Sequence, residues 1–167
     1  MKDQEPGTAR RRRVPTREEL ASWRLFIEVT EEIKAHMGSR LQRESGISSG
    51  DYTVLLALSE APGTRLRSSE LAVAINWERS RLSHHLGRME RRGLVLREEC
   101  ATDSRGAEVV LSPQGATVFR ESSVLHLMAI QQLFVEPLTP AMIKEAENIA
   151  AALRAGLRST AGTEEKR

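Results

Sequence analysis

Three observations predict a mainly α fold with one small β-hairpin. Apolar residues recur at three- and four-residue steps near both ends of the 167-residue chain, over residues 17–44 and 113–157. The middle region is instead divided by frequent turn signals: Ser45-Gly46, Ala61-Pro62-Gly63 and Gly93. Two β-rich triplets, Leu94-Val95-Leu96 and Val109-Val110-Leu111, bracket Asp103-Ser104-Arg105-Gly106, with Asp and Gly where a type I turn favours them.

The first helix is expected over residues 17–44. Trp23, Phe26, Thr30, Ile33, Met37 and Leu41 form one stripe on it, which Gly38 weakens locally. Ser48 and Asp51 suit the first turn of a second helix, reaching residue 60 through Tyr52, Leu55, Leu56 and Leu58. Arg65-Leu66-Arg67 is too short to assign alone; an extended segment paired with the hairpin is one possibility. Ser68 is a good cap for a third helix carrying Leu71 and Ile75. Asn76 can cap a fourth, where Leu82, Leu86 and Met89 share one face. Ser80, His84, Gly87 and Arg91 fall opposite, with Arg81 and Arg88 beside them. Gly93 is placed for a left-handed cap. Ser112-Pro113 starts a fifth helix over residues 113–135, and Thr139-Pro140 starts a sixth with Ile143, Ala146, Ala150, Leu153 and Leu157.

Short helix, turn, basic helix and arginine-tipped hairpin, in that order, make a winged helix-turn-helix. Such a unit presents one helix to the DNA major groove and a wing to the minor groove. The expected organisation is a basic arm at 1–16 and a winged unit at 48–112. A helical dimerisation region comes from both termini (17–47 and 113–160), and a disordered tail covers 161–167. Two readings stand for the arm, with its run Arg10 to Arg13: a solubilising tail, or a segment that brushes DNA phosphates.

Charge follows this organisation. Residues 65–106 hold nine basic and six acidic side chains, whereas residues 17–60 hold five and eight. The positive excess therefore falls on the proposed DNA reader. Only 4% of residues are aromatic, which argues against a stacking platform for single strands. No apolar run approaches the ~18 residues of a membrane helix, and the N-terminus lacks a signal-peptide core. The expected compartment is the cytoplasm. One cysteine, Cys100, excludes an internal disulfide framework. His36, His84, His85 and His126 are scattered without metal-ligand spacing, so no metal or other cofactor is expected. There is no phosphate-binding glycine loop and no nucleophile with an evident base, so no enzyme is expected.

From about residue 20 to 157 the chain resembles the MarR family of bacterial winged-helix transcription regulators. The residues that carry this are Ser69-Glu70-Leu71-Ala72, the run Arg79 to Glu90, Arg92-Gly93-Leu94-Val95, the wing motif Asp103-Ser104-Arg105-Gly106 and Leu111-Ser112-Pro113-Gln114-Gly115. The resemblance implies a homodimer on a palindromic operator, usually a repressor, released by a small molecule that is often aromatic or anionic. Extended apolar stripes on the first, fifth and sixth helices also favour a second copy. Alternatives are a DNA-binding regulator with no effector and a redox-responsive one acting through Cys100. Peroxide-sensing relatives keep their cysteine in the first helix, where this chain has none.

The resemblance places Arg105 in the minor groove, held by Asp103. Many relatives carry two arginines where this chain has Ser104-Arg105. On the fourth helix, Ser80, Arg81, Ser83, His84 and Arg88 are candidates for base edges and phosphates, while Arg79, closer to the apolar side, is read as reaching phosphate. Ser68 and Ser69 are candidates for phosphate through hydroxyl or backbone N–H groups. His85 leans inward and is read as structural. An effector pocket is expected where the first, second and fifth helices meet the reader. Its wall would be Trp23, Phe26, Ile27, Tyr52 and Leu55, whose alternative role is ordinary core.

Overall fold

The computed structural model describes residues 14–99 and 107–164. Its helices are α1 (Arg17–Ser45), α2 (Ser49–Glu60), α3 (Ser68–Ala74), α4 (Arg79–Arg91), α5 (Pro113–Ile130) and α6 (Pro140–Glu164). The strands are β1 (Arg65–Arg67), β2 (Val95–Glu99) and β3 (Ala107–Leu111). A mainly helical chain with one small sheet is what the sequence predicts. The chain divides into two compact units within α1, after Ala35.

In the first unit, Thr16 and Glu19 start α1 reciprocally. The Glu19 carboxylate accepts from Thr16 N–H at 2.8 Å, and Thr16 Oγ1 accepts from Glu19 N–H at 3.2 Å. The large apolar side chains that follow, Leu20, Trp23, Leu25, Phe26, Ile27 and Val29, are all exposed.

The second unit contains the core. Leu41, Ile47, Val54, Leu55, Leu58, Leu71, Leu82, Leu86, Met89, Val95 and Val109 are buried together. Each buried side chain of this size contributes about 1.5–3 kcal/mol. The sheet is antiparallel in the order β1-β3-β2. Leu66 pairs with Val109, and Leu96 with Val110. The triplet 65–67, ambiguous in sequence, is therefore the third strand of the wing sheet. Alternation turns Val95 into the core and leaves Leu96 exposed.

Four local expectations need correction. Ser68 is the first helical residue of α3 rather than its cap. The Glu70 carboxylate receives the Arg67 N–H at 3.2 Å, which leaves the Ser68 hydroxyl to donate to the Ala107 carbonyl of β3. Asn76 does not cap α4. It takes a left-handed conformation at φ 53° that closes the turn after α3, and α4 starts after Glu78. The helix begun at Pro113 widens into a π turn over Gln131–Val135, where Glu136 N–H reaches Gln131 O at 2.8 Å just before Pro137. Finally, α6 runs to Glu164, through residues expected to belong to the tail. Among Ala161–Glu164 there is no proline to stop it.

One buried carboxylate ties α2 to α4. Asp51 is 2% exposed. It closes a capping box with Ser48, accepting the Ser48 N–H at 2.9 Å while its own N–H reaches Ser48 Oγ at 3.1 Å. Just after α4, Arg92 donates to Asp51 Oδ2 at 2.7 Å and to the Gly46 carbonyl at 2.8 Å. Burial alone raises the Asp51 pKa, but the Ser48 N–H and the Arg92 guanidinium outweigh it and hold the carboxyl below its ordinary 3.8.

The sheet and α5 meet at a second tight point. Gly93 ends α4 at φ 72°. The Ser112 hydroxyl accepts from Gly115 N–H at 2.8 Å and donates to the Gly93 carbonyl. A Cβ on Gly115 would overlap the Leu94 carbonyl oxygen. Because that obstacle is backbone, Gly115→Ala should cost about 3 kcal/mol in a urea melt. Asp51→Asn should cost about 2 kcal/mol near pH 7, since it removes the charge-assisted bond from the half-exposed Arg92. The wild type keeps this contribution above the ordinary carboxylate pKa and loses it as pH falls through the lower folded value. Urea melts from about pH 7 to about pH 3 should therefore show a weaker acid dependence in the variant.

Candidate nucleic-acid interface

The turn between α3 and α4 is built from backbone. Asn76 N–H reaches Val73 O at 3.1 Å and Trp77 N–H reaches Ala72 O at 2.9 Å. These bonds set how α4 leaves α3. One side of α4 is then pinned by Leu82, His85, Leu86 and Met89, all buried. The other side is exposed and carries Arg79, Ser80, Arg81, Ser83, His84, Arg88 and Arg91. The six α4 residues proposed from sequence thus share the outward surface of one anchored helix. Arginines there can donate in pairs to guanine or phosphate, and the hydroxyls add shorter polar contacts.

Two of these arginines are already oriented. Arg81 lies over the Trp77 ring at 4.2 Å, a cation–π contact. Trp77 meets His85 edge-on at 5.1 Å between ring centres. Gly50 makes this stacking possible, since a Cβ there would come within 3.0 Å of both rings. Arg88 reaches back to His85 Nδ1 at 2.8 Å. His85 therefore faces inward, as expected, and also contacts an outward arginine.

The wing strands are tied to this helix by a residue that sequence reasoning missed. Arg97 on β2 donates to the Ser83 carbonyl at 2.8 Å and lies 3.6 Å from Glu90. Only its place in a charged run marked it. Arg65 on β1 bridges Glu98 and Glu108 at 3.3 and 3.2 Å. These exposed pairs contribute little stability but help set the strands' direction.

Ser68 and Ser69 are half-buried at the start of α3, and the Ser68 hydroxyl is engaged with β3. Their backbone N–H groups belong to the helix's first turn, where donors lack intrahelical partners. Asp103 and Arg105, proposed for the minor groove, and Cys100 lie outside the described residues.

The five proposed effector residues fall in different environments. Trp23, Phe26 and Ile27 are 59%, 47% and 40% exposed on α1. Tyr52 and Leu55 are buried on α2. The Tyr52 ring lies against Phe119 and His126, with centres 5.5 and 4.3 Å away, and its hydroxyl is 3.4 Å from Ser123 Oγ. Burial pushes the His126 pKa down, so this ring is neutral at pH 7. Among the described residues, no helix is long and apolar enough to cross a membrane, and no cluster of His, Cys, Asp and Glu could hold a metal ion.

The model of the MarR family matches residues 45–106, the helix-turn-helix and wing. AbsC, a MarR family transcriptional regulator from Streptomyces coelicolor, is 34% identical. The match covers 88% of this chain and 99% of AbsC, with a TM-score of 0.82. Sco3205, a regulator of the same family and organism solved in complex with DNA, is 36% identical over 93% of each chain, with a TM-score of 0.83. The C80S mutant of MarR from E. coli, solved with operator DNA, shares the fold at 21% identity and a TM-score of 0.72, over 81% of this chain and 95% of that one. No curated protein matches the sequence. Fold, outward basic helix and similarity to AbsC and Sco3205 over nearly the whole chain lead to one conclusion: this protein belongs to the MarR family of DNA-binding transcriptional regulators.

Proposed function

We propose that this regulator works as a homodimeric repressor on a palindromic operator and is released by a small aromatic or anionic molecule. The observation that carries the DNA reading is the exposed row Arg79, Ser80, Arg81, Ser83, His84 and Arg88 on a helix whose opposite face is buried. Such a row docks in the major groove with side chains that can hydrogen-bond base edges and phosphates. Ser68 and Ser69 then meet phosphate at the start of α3. Asp103 aims Arg105 into the neighbouring minor groove, where narrow A·T-rich steps attract the guanidinium.

The dimer reading rests on uncovered apolar surface. Ile149, Leu153 and Leu157 on α6 are 50%, 52% and 71% exposed, and Leu20, Trp23 and Phe26 are exposed on α1. A second copy would cover such stripes. Two copies would also set two recognition helices ~34–36 Å apart, one turn of DNA. The effector reading rests on the aromatic character of α1, where Trp23, Phe26 and Ile27 offer flat apolar contacts. Tyr52 and Leu55, expected beside them, are packed in the core of the second unit, the alternative role the sequence left open.

Duplex DNA from upstream of the protein's own gene, titrated beside a scrambled duplex at several salt concentrations, tests the DNA reading. One dimer should bind the operator fragment tightly and the scrambled duplex weakly. Equal, steeply salt-dependent binding to both would leave only phosphate attraction. Arg105→Ala should weaken operator binding at least about tenfold and leave the dimer folded. Leu153→Asp should give a monomer by light scattering and lose operator binding, because it places a charge in the proposed interface.

A further inference from the structure

His85 is only 9% exposed, yet it touches the reading surface through Arg88. A guanidinium can only donate, so at 2.8 Å His85 Nδ1 is the acceptor. The ring proton is then on Nε2, which lies 3.0 Å from Asp51 Oδ1, within ion-pair distance though not aligned as a straight hydrogen bond. Asp51 is itself fixed by Ser48 and Arg92. A row of polar groups therefore runs from the start of α2, past a buried imidazole 3.0 Å from Asp51, to an arginine on the outward side of α4.

We propose that His85 is a positioning residue for DNA reading: its neutral ring, braced on Asp51, holds the Arg88 guanidinium in the orientation that meets the DNA. The inference rests on the reading of Arg88 as a DNA contact. One Arg88 nitrogen serves His85, and the rest of the fork is left for bases or phosphates. An arginine already restrained loses less freedom on docking than one swinging in solvent, so the restraint improves recognition without adding a contact. Burial is the largest influence on His85 and lowers its pKa, as do Arg88 and Arg81; Asp51 acts in the opposite sense. The net effect keeps the ring neutral at pH 7 and Nδ1 able to accept.

The test compares wild type, His85→Leu, His85→Gln, Arg88→Ala and the Leu/Ala double variant, with thermal melts to verify folding. Each is titrated with the upstream fragment that wild type binds and with the scrambled duplex. His85→Leu should bind the operator roughly tenfold more weakly and the scrambled duplex about as well as wild type. Glutamine keeps one donor and one acceptor, so His85→Gln should recover most of the loss. The double variant should be no weaker than Arg88→Ala alone, because His85 acts through that arginine. Wild-type operator affinity in His85→Leu, or losses that multiply in the double variant, would overturn the proposal. A harmless Arg88→Ala would instead remove the reading on which it stands.

Should His85→Leu fail to fold, pH decides. The ring faces Asp51 from α2 and Arg81 and Arg88 from its own helix. Its protonation turns Nδ1 into a donor that repels Arg88. From about pH 8 to about pH 5 wild type should lose operator affinity more steeply than His85→Gln. Identical pH profiles would overturn the proposal.

Discussion

A carboxylate removed from water must be paired, and the pairs that Asp51 makes tie the start of α2 to α4. Burying an ion costs several kcal/mol unless charge and hydrogen bonds replace its water. The replacements come from two places in the chain, Ser48 beside it and Arg92 just after α4, while the neutral His85 ring lies 3.0 Å away. The start of α2 and the end of α4 are therefore fixed to each other by directional contacts. Leu82, Leu86 and Met89 add the larger non-directional part by burying the inner face of α4.

With the inner face held twice over, the outer face can be devoted to recognition. Its side chains need contribute nothing to the core, which is why arginine, serine and histidine are tolerated in such density. Orientation still matters, because a long cation free in solvent must lose rotamer freedom before it can contact a base. Trp77 under Arg81 and His85 beside Arg88 restrain two of these cations. The β2 strand is coupled to the same helix through Arg97 and the Ser83 carbonyl.

Much of the fold was legible because its signals are local. The Ser48–Asp51 capping box, the Ser112-Pro113 start and the left-handed Gly93 depend on residues within a few positions of one another. The outward placement of Ser80, His84, Arg91, Arg81 and Arg88 on α4 followed from 100° per residue. The two capping misreadings arose where a neighbouring residue or a turn took the expected role. Ser68 looked like a cap, but Glu70 takes that role and β3 takes the hydroxyl. Asn76 looked like a cap too, but the turn after α3 required a left-handed residue, a conformation asparagine adopts at low cost.

By itself the sequence determined the helical periods, the place of the helix-turn-helix and the polarity of each face of α4, because these depend on spacing along one chain. Tertiary structure decided which charged residues are partners. Asp51 and Arg92 are 41 positions apart, and Arg65 is 33 from Glu98 and 43 from Glu108. No local pattern encodes such pairs. They exist because burying the apolar faces of α2 and α4 brings those chain segments together, and a charge enclosed there is stable only beside an opposite one.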